Sequence, residues 1–184
     1  MFETTNTKLA AALLTVGFQL DCNTNFAGNQ VVLCIRGGRE FGYEPEEFQA
    51  LWQDRAWQEH NDHHPFHHIV QVAEARDWLL NRVIFHYDNG HEPPVGDTFA
   101  TDQLGLAACI VAEGYYLSFF DGRTFYFAPD AEMIRDRYIR ADSDDTMKWQ
   151  VSYLRVLKFL LDRIRNRSMK KACYKGAGAV AFSQ

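Results

Sequence analysis

The sequence predicts an α+β fold, in which two related helix-strand-strand-helix units share a mainly antiparallel sheet and a long C-terminal helix packs on it. Two echoes within the chain predict this fold. Residues 9–18, a run of small and apolar residues ending in Gly-Phe, are echoed by residues 106–115, which end in Gly-Tyr. Tyr43-Glu44-Pro45-Glu46 is echoed by Phe127-Ala128-Pro129-Asp130. A repeated segment restricts the number of folds that the chain can adopt. A sheet covered by helices can bury the apolar residues of both copies.

The first copy contains clear signals for the start and the end of a helix. Asn6 or Thr7 is suited to cap a helix over residues 7–16, because either side chain can accept from free backbone N–H groups, and Gly17 can end it in a left-handed conformation. Residues 18–22 and 31–36 read as strands joined by a polar connection over residues 23–29. Pro45 then suits the first turn of a second helix.

The second copy predicts the same order of elements. Thr101 or Asp102 is expected to cap a helix that ends at Gly114, and Asp121-Gly122 between aromatic strands indicates a two-residue hairpin turn. Such a turn pairs Ser118 with Phe125 and Tyr116 with Phe127. A further helix runs from Pro129 to about residue 139.

We expect one α+β domain over residues 1–184. It contains the internal repeat (7–54 and 101–140), a histidine-rich helical insert (55–100) with a helix from Pro65 to about Phe85, a C-terminal amphipathic helix (144–167) and a basic tail (168–184). The apolar stripe of the C-terminal helix is formed by Met147, Val151, Leu154, Leu157, Leu161 and Ile164, and it is widened by Trp149, Tyr153, Val156 and Phe159.

The composition is that of an ordinary folded protein. With 184 residues, 47% of them hydrophobic, the chain is large enough to bury a core. The first residues lack the features of a secretory signal and no run of about 18 apolar residues follows, so we expect a cytoplasmic protein without a membrane partner. The four cysteines form no CxxC pair, which predicts buried free thiols rather than a disulfide framework.

Charge is unevenly distributed along the chain. Residues 1–154 carry 11 Lys and Arg against 23 Asp and Glu, whereas residues 155–184 carry 8 against 1. Basic segments attract phosphate backbones or acidic protein surfaces, although such charges also commonly form a solvated helix face. The candidate residues for binding nucleic acid or a partner protein are Arg155, Lys158, Arg163, Arg165, Arg167, Lys170, Lys171 and Lys175.

A histidine cluster is the first place to look for chemistry. Residues 60–68 hold five histidines, some of them four residues apart, a spacing that places two ring nitrogens on one helix face, as a divalent transition metal requires. Because Pro65 favours the first position of a helix, His63 and His64 are expected to precede it. A polar helix start and a pH-responsive cluster therefore remain open beside a metal site. The candidate ligands are His60, Asp62, His63, His64, His67 and His68.

The sequence carries no phosphate-binding loop, dinucleotide fingerprint, nucleophile elbow or HExxH motif. We therefore expect a small intracellular binding or regulatory protein that acts through protein–protein or nucleic-acid contacts, and we infer no catalysis. A second copy of the chain is a further candidate partner, and aromatic residues 115–127 offer a stacking surface if they are exposed. Two alternatives stay open: a metal-dependent enzyme using the histidine cluster, and an acidic inhibitor competing for a nucleic-acid-handling complex.

Overall fold

The computed structural model describes residues 1–21, 25–27, 30–37, 40, 43–54, 64–87, 96–144 and 146–165. The chain divides into two compact units, the first formed by Met1–His67 with Ser152–Gln184 and the second by His68–Val151. Helices and antiparallel strands occur together, which confirms the α+β class. The prediction of one domain over residues 1–184 stays a prediction. Among the described residues, no helix is both long enough and apolar enough to span a membrane.

Helix α1 of the first unit has the predicted bounds, Thr7–Val16. The Asn6 side chain accepts the backbone N–H groups of Lys8 and Leu9, each at 3.1 Å, and so caps the helix. Gly17 ends it at a φ of 123°, a region that disfavours side chains with a Cβ. Residues 9–16 are all buried, so the small-residue run forms a core helix.

The first sheet is built around one central strand. Strands β1 (Phe2–Thr4), β2 (Gln19–Leu20) and β3 (Asn25–Ala27) all pair antiparallel with β4 (Gln30–Arg36). Three consecutive residues of β4, Leu33, Cys34 and Ile35, are buried, as expected for a sheet covered on both faces. The predicted polar connection over residues 23–29 is wrong for Asn25–Ala27, because those residues pair with the following strand.

Helix α2 (Pro45–Asp54) begins at proline, as predicted. Its Phe48 is fully buried, and the ring lies 5.7 Å from that of Phe18, 5.4 Å from that of Tyr43 and 4.8 Å from that of Phe66 between centroids. Phe66 belongs to helix α3 (Pro65–Trp78). These rings form the aromatic core of the first unit.

The second unit has its own sheet, with the order β5 (Phe99–Thr101), β7 (Phe125–Phe127), β6 (Leu117–Phe120). The strands therefore form separate sheets among the described residues rather than the predicted shared sheet, because each central strand is flanked on both sides by strands of its own unit. The remaining helical elements follow the predicted order. They are a π-helical segment (Leu79–Ile84), α4 (Leu104–Ala112), 3-10 turns (Pro129–Ala131 and Ala141–Ser143), α5 (Glu132–Ile139) and α6 (Met147–Arg165).

The hairpin between β6 and β7 differs in register from the prediction. Phe120 pairs with Phe125 and Leu117 with Phe127, and the register shifts between Leu117 and Phe119. The turn residues are Gly122 and Arg123, because the Asp121 carboxylate accepts the N–H groups of Arg123 and Thr124, at 2.9 and 2.6 Å. A glycine at the first central position suits this turn. The predicted pairs Ser118 with Phe125 and Tyr116 with Phe127 are therefore wrong.

The two units share an arrangement that the sequence prediction missed in part. In each, a three-residue Phe-x-Thr strand precedes the helix, and the last strand of the unit is the central one, with which the other described strands of that unit pair. Thr101 ends β5 and its hydroxyl accepts the N–H of Gln103 at 3.1 Å. Gln103, rather than the predicted Thr101 or Asp102, therefore occupies the N-cap of α4. Origin of the two copies by duplication stays a prediction.

Helix α6 buries a different stripe from the predicted one. Leu161 is 41% exposed and Leu160 fully buried. Gln150, which is absent from the predicted stripe, is fully buried as well, as is Tyr153, which is predicted to widen the stripe. The predicted spacing of three and four residues is correct, but at the C-terminal end of the helix the buried face is rotated by one residue.

Candidate functional site

The histidine segment is only partly described. His60, Asp62 and His63 lie outside the described residues, whereas His64, His67 and His68 lie at the start of α3. His67 is 8% exposed and His68 half-buried. Within the described ranges, no three His, Cys, Asp or Glu side chains group closely enough to hold a metal ion. The metal site predicted for the complete segment stays a prediction.

His64 caps helix α3. Its Nδ1 accepts the backbone N–H of Phe66 at 3.2 Å, one residue beyond Pro65. A nitrogen that accepts a hydrogen bond carries no proton, so the contact favours the neutral ring with its proton on Nε2. Burial lowers the pKa of His64 and favours the same form. In this form the Nδ1 lone pair is engaged and Nε2 carries the proton, so the His64 ring cannot bind a metal without giving up its contact with Phe66.

The basic residues of α6 differ in exposure. Arg155, Lys158 and Arg165 are exposed, and Asp162 lies on the same side of the helix. Arg163 is half-buried, with its guanidinium carbon 5.2 Å from the centroid of the Phe159 ring, which is a cation–π contact rather than a free basic group. The other predicted contact residues, Arg167, Lys170, Lys171 and Lys175, lie outside the described residues.

The aromatic residues of the β6–β7 hairpin are mostly core residues. Phe120, Phe125 and Phe127 are buried, and Phe119 and Tyr126 are half-buried with their ring centroids 5.8 Å apart. Tyr116 alone among residues 115–127 exposes most of its aromatic ring, at 91%. The sheet therefore offers only a small stacking surface.

A second aromatic surface is formed where α3 continues into the π-helical segment. Trp78 is 43%, Ile84 37% and Phe85 80% exposed. Arg82 and His86 are exposed beside them, and the His86 ring meets the Phe85 ring edge-on at 5.3 Å. We call these five residues the aromatic helix end. Tryptophan, other aromatics and arginine are the types enriched at the centres of protein interfaces.

The residue that follows the aromatic helix end is firmly held. The Tyr87 hydroxyl donates to the backbone carbonyl of Asp121 at 2.6 Å, and its ring lies 5.3 Å from the Phe120 ring. A Cβ at Gly122 would lie 2.6 Å from Cε1 of Tyr87, so only glycine leaves room for this ring. Tyr87 thus anchors the end of the helical segment to the hairpin, and Phe85 is held in solvent two residues before the anchor.

The π-helix itself is consistent with a functional role for this segment. π-helical turns are rare and often lie at functional sites, since they change the direction of the side chains that follow. The Phe85 N–H donates to the Leu80 carbonyl at 3.1 Å, five residues earlier. The sequence contains one signal of this surface. In a helix from Pro65 to about Phe85, Leu79 and Val83 are four residues apart and share one face, and Ile84 and Phe85 do not lie on it.

A half-buried ion-pair network occupies another part of the second unit. Arg137 lies between two carboxylates, with Nη1 2.5 Å from Oε2 of Glu113 and Nε 2.8 Å from Oδ2 of Asp144. Gln150, fully buried, donates to Glu113 at 2.9 Å. Asp144 also accepts the N–H groups of Thr146 and Met147 at the start of α6. Each charge has a partner, so the network fixes helix ends and leaves no group poised for a reaction.

The two described cysteines are not suited to nucleophilic chemistry. Cys34 and Cys109 are buried free thiols, as predicted. Burial raises the pKa of both, and the neighbouring Glu113 raises that of Cys109 further. A thiol held in its protonated form is a weak nucleophile.

Comparison of the chain with protein-family models, curated proteins and solved structures gives no match. The interpretation of function therefore depends on the chemistry of the surfaces described above.

Proposed function

We propose that this protein is a small cytoplasmic binding or regulatory protein that contacts a partner protein through the aromatic helix end. The observation that supports this most directly is Phe85, which exposes 80% of its surface two residues before the anchored Tyr87. Holding a large apolar ring in water has a free-energy cost that burial against a partner removes, at about 25 cal/mol per Å². Because the Tyr87 anchor holds the backbone beside Phe85, binding costs less conformational entropy than it would for a ring on an unanchored segment.

The chemistry of this surface favours a protein partner over nucleic acid. The second unit carries 7 Lys and Arg against 14 Asp and Glu, so its net charge repels phosphate backbones. Arg82 places one exposed positive charge in the aromatic helix end within that acidic unit. The nucleic-acid alternative rests on the exposed Arg155, Lys158 and Arg165 of α6 and stays a prediction.

We expect replacement of Phe85 by Ser together with Trp78 by Ala to weaken partner binding by about 30-fold or more, since even a single interface hot spot contributes about 2 kcal/mol or more. The measurement is quantitative mass spectrometry of the proteins captured from native-cell extract by the full chain and by the variant. The partner is the protein whose capture depends on Phe85 and Trp78, and its affinity is then measured with purified material.

The matched control is Tyr116→Ser, which removes an aromatic ring that is 91% exposed and lies outside the aromatic helix end. It is expected to leave capture unchanged. If all captured proteins depend equally on Tyr116 and Phe85, or none depends on either, the aromatic helix end is not a binding surface. The thermal midpoints of the variants show whether each remains folded.

A further inference from the structure

Strand β6 is an edge strand of the second sheet. The order β5, β7, β6 places β7 on one side of it, and within the described ranges no strand pairs with its other side. Ser118, inside the strand, is exposed, and Tyr116, which precedes the strand, is 91% exposed, so solvent reaches this edge. Outer backbone N–H and C=O groups of β6 are therefore free to pair with a further strand.

The sequence of this edge lacks the usual protection against pairing. Residues 114–120 contain neither a charged residue nor proline, the residue types that commonly prevent an edge strand from pairing with another chain. The opposite edge strand of the same sheet, β5, carries such protection. Exposed Asp97 and Asp102 flank it, and the exposed Arg123 lies 4.0 Å from Asp102. Of these two edges, β6 is the one that is open to pairing.

A bulge limits the length of this edge. The register with β7 shifts between Leu117 and Phe119, so Ser118 is an extra residue without a partner in β7. A bulge increases the local twist and so restricts pairing, but it also leaves the extra residue outside the existing ladder. A further strand can therefore pair with β6 over only a few residues, and the contact is weak.

The distribution of charge favours a second copy of the chain as the occupant of this edge. A two-fold contact places the same surface of both copies together, so a charged surface meets its own charge. The second unit carries 7 Lys and Arg against 14 Asp and Glu, which disfavours such contacts over much of its surface. Residues 114–120 are an uncharged segment of this acidic unit. A strand edge also matches itself, because antiparallel pairing joins the donors of each copy to the acceptors of the other.

We propose that strand β6 of two copies pairs antiparallel about a two-fold axis near Ser118 and joins two three-stranded sheets into one sheet of six strands. The half-buried side chains of Leu117 and Phe119 become covered further in this contact. The aromatic helix end contributes no residue to it, so the dimer is independent of the proposed function.

The size of the contact determines its strength. Two strands of four residues bury less than the about 1,200 Å² of the smallest stable interfaces, so we expect a dissociation constant of about 0.1 mM. Because the paired segment is uncharged and its surroundings are acidic, salt screens only repulsion between the copies. The dimer is therefore expected to be at least as stable at high salt as at low salt.

The test uses the full chain with Ser118→Glu or with Ser118→Lys. Both substitutions lie at an exposed residue that has no partner in β7, so the sheet of each copy is kept. In either variant alone, like charges meet near the axis, and the dissociation constant is expected to rise about tenfold or more. An equal mixture of the two variants brings opposite charges together and is expected to restore the dimer. Sedimentation velocity over a range of concentrations measures each constant.

Hydrogen exchange reports on the backbone pairing itself. The wild-type chain is compared at a concentration well below its dissociation constant and at one well above it. Amides within residues 117–120 are expected to exchange more slowly at the higher concentration, whereas those of helix α4 are expected to exchange equally at both. This measurement needs no substitution, so it decides the proposal even if a Ser118 variant fails to fold.

The matched controls are Ser143→Glu and Ser143→Lys, which make the same changes at an exposed serine outside both sheets. Both are expected to dimerise like the wild-type protein. A wild-type chain that stays monomeric at about 1 mM overturns the proposal. So does a dimer that dissociates at high salt, that folded Ser118 variants leave unchanged, or that gives no slower exchange within β6.

Discussion

Replacing Phe48 by Ala is expected to lower the free energy of unfolding by about 3–5 kcal/mol, the range for a large aromatic side chain removed from a core. Phe48 is fully buried and its ring meets those of Phe18, Tyr43 and Phe66. The substitution leaves a cavity bordered by three rings, which relax into it only in part. Urea denaturation followed by circular dichroism measures the loss.

Phe85→Ala is the matched control, since it makes the same chemical change at a ring that is 80% exposed. We expect the free energy of unfolding to change by no more than about 0.5 kcal/mol, as is usual at the surface. Equal losses at the two positions would mean that Phe85 is buried in solution, and the surface assigned to it would then be withdrawn.

Replacing Arg137 by Met is expected to cost about 2–3 kcal/mol of stability, because it leaves the carboxylates of Glu113 and Asp144 half-buried without their cation. The side chains of Arg137, Glu113 and Asp144 are 31%, 17% and 23% exposed, so water compensates part of the loss. Arg140→Met, three residues along the same chain segment and exposed, is the control and is expected to be near neutral. Equal effects of the two substitutions would show that the network does not stabilise the protein.

The same network predicts how stability depends on acid. Hydrogen bonds from Arg137, Met147 and Thr146 lower the pKa of Asp144 from 3.8 to about 2. The unfolded chain therefore binds more protons than the folded one between those values, and stability falls as the pH falls. The resulting contribution to stability is fully present above the unfolded pKa and is lost as the pH falls through about 2.

Asp144→Asn isolates this contribution. Because asparagine does not titrate, the variant is expected to lose stability less steeply than the wild-type protein between about pH 5 and pH 2. The measurement is the free energy of unfolding in urea at a series of pH values. Parallel pH profiles for the two proteins would contradict a lowered pKa at this carboxyl.

Capping residues and proline predicted the bounds of several helices closely. The Asn6 cap and Gly17 stop define α1 at the predicted bounds, and Pro45 begins α2, because caps and proline act on the residues next to them. The burial of Leu33, Cys34 and Ile35 follows from an uninterrupted apolar run in the same way. These features depend on interactions within a few residues of chain.

Short strands were not predictable from the sequence. Strands β1, β3 and β5 have three residues each, too few for a periodic pattern, and exist because a longer or central strand pairs with them. The hairpin register shows the same dependence. The Asp121 side chain takes the N–H groups of the turn, while the carbonyl of Asp121 accepts from Tyr87, 34 residues earlier in the chain.

Of the candidate surfaces, one was predictable from the sequence and another was not. The exposed Arg155, Lys158 and Arg165 were predicted because a helix of known period has one outward face. The aromatic helix end was not predicted, since apolar residues such as Ile84 and Phe85 are expected in a core. Their exposure follows from the π-helical turn and from Tyr87, whose contacts with Phe120 and Asp121 bring distant residues together.

The sequence by itself determined the α+β class, the order of the main helices and strands, and which segments are acidic or basic. Each of these follows from residues near one another in the chain. Helix caps, the spacing of apolar residues and the local excess of one charge are all visible in short segments. Only the tertiary structure decided the strand register, the rotation of the α6 stripe and the exposure of Phe85. Those depend on pairing between distant residues, in which a few hydrogen bonds and ring contacts select one of several arrangements that the same local pattern allows.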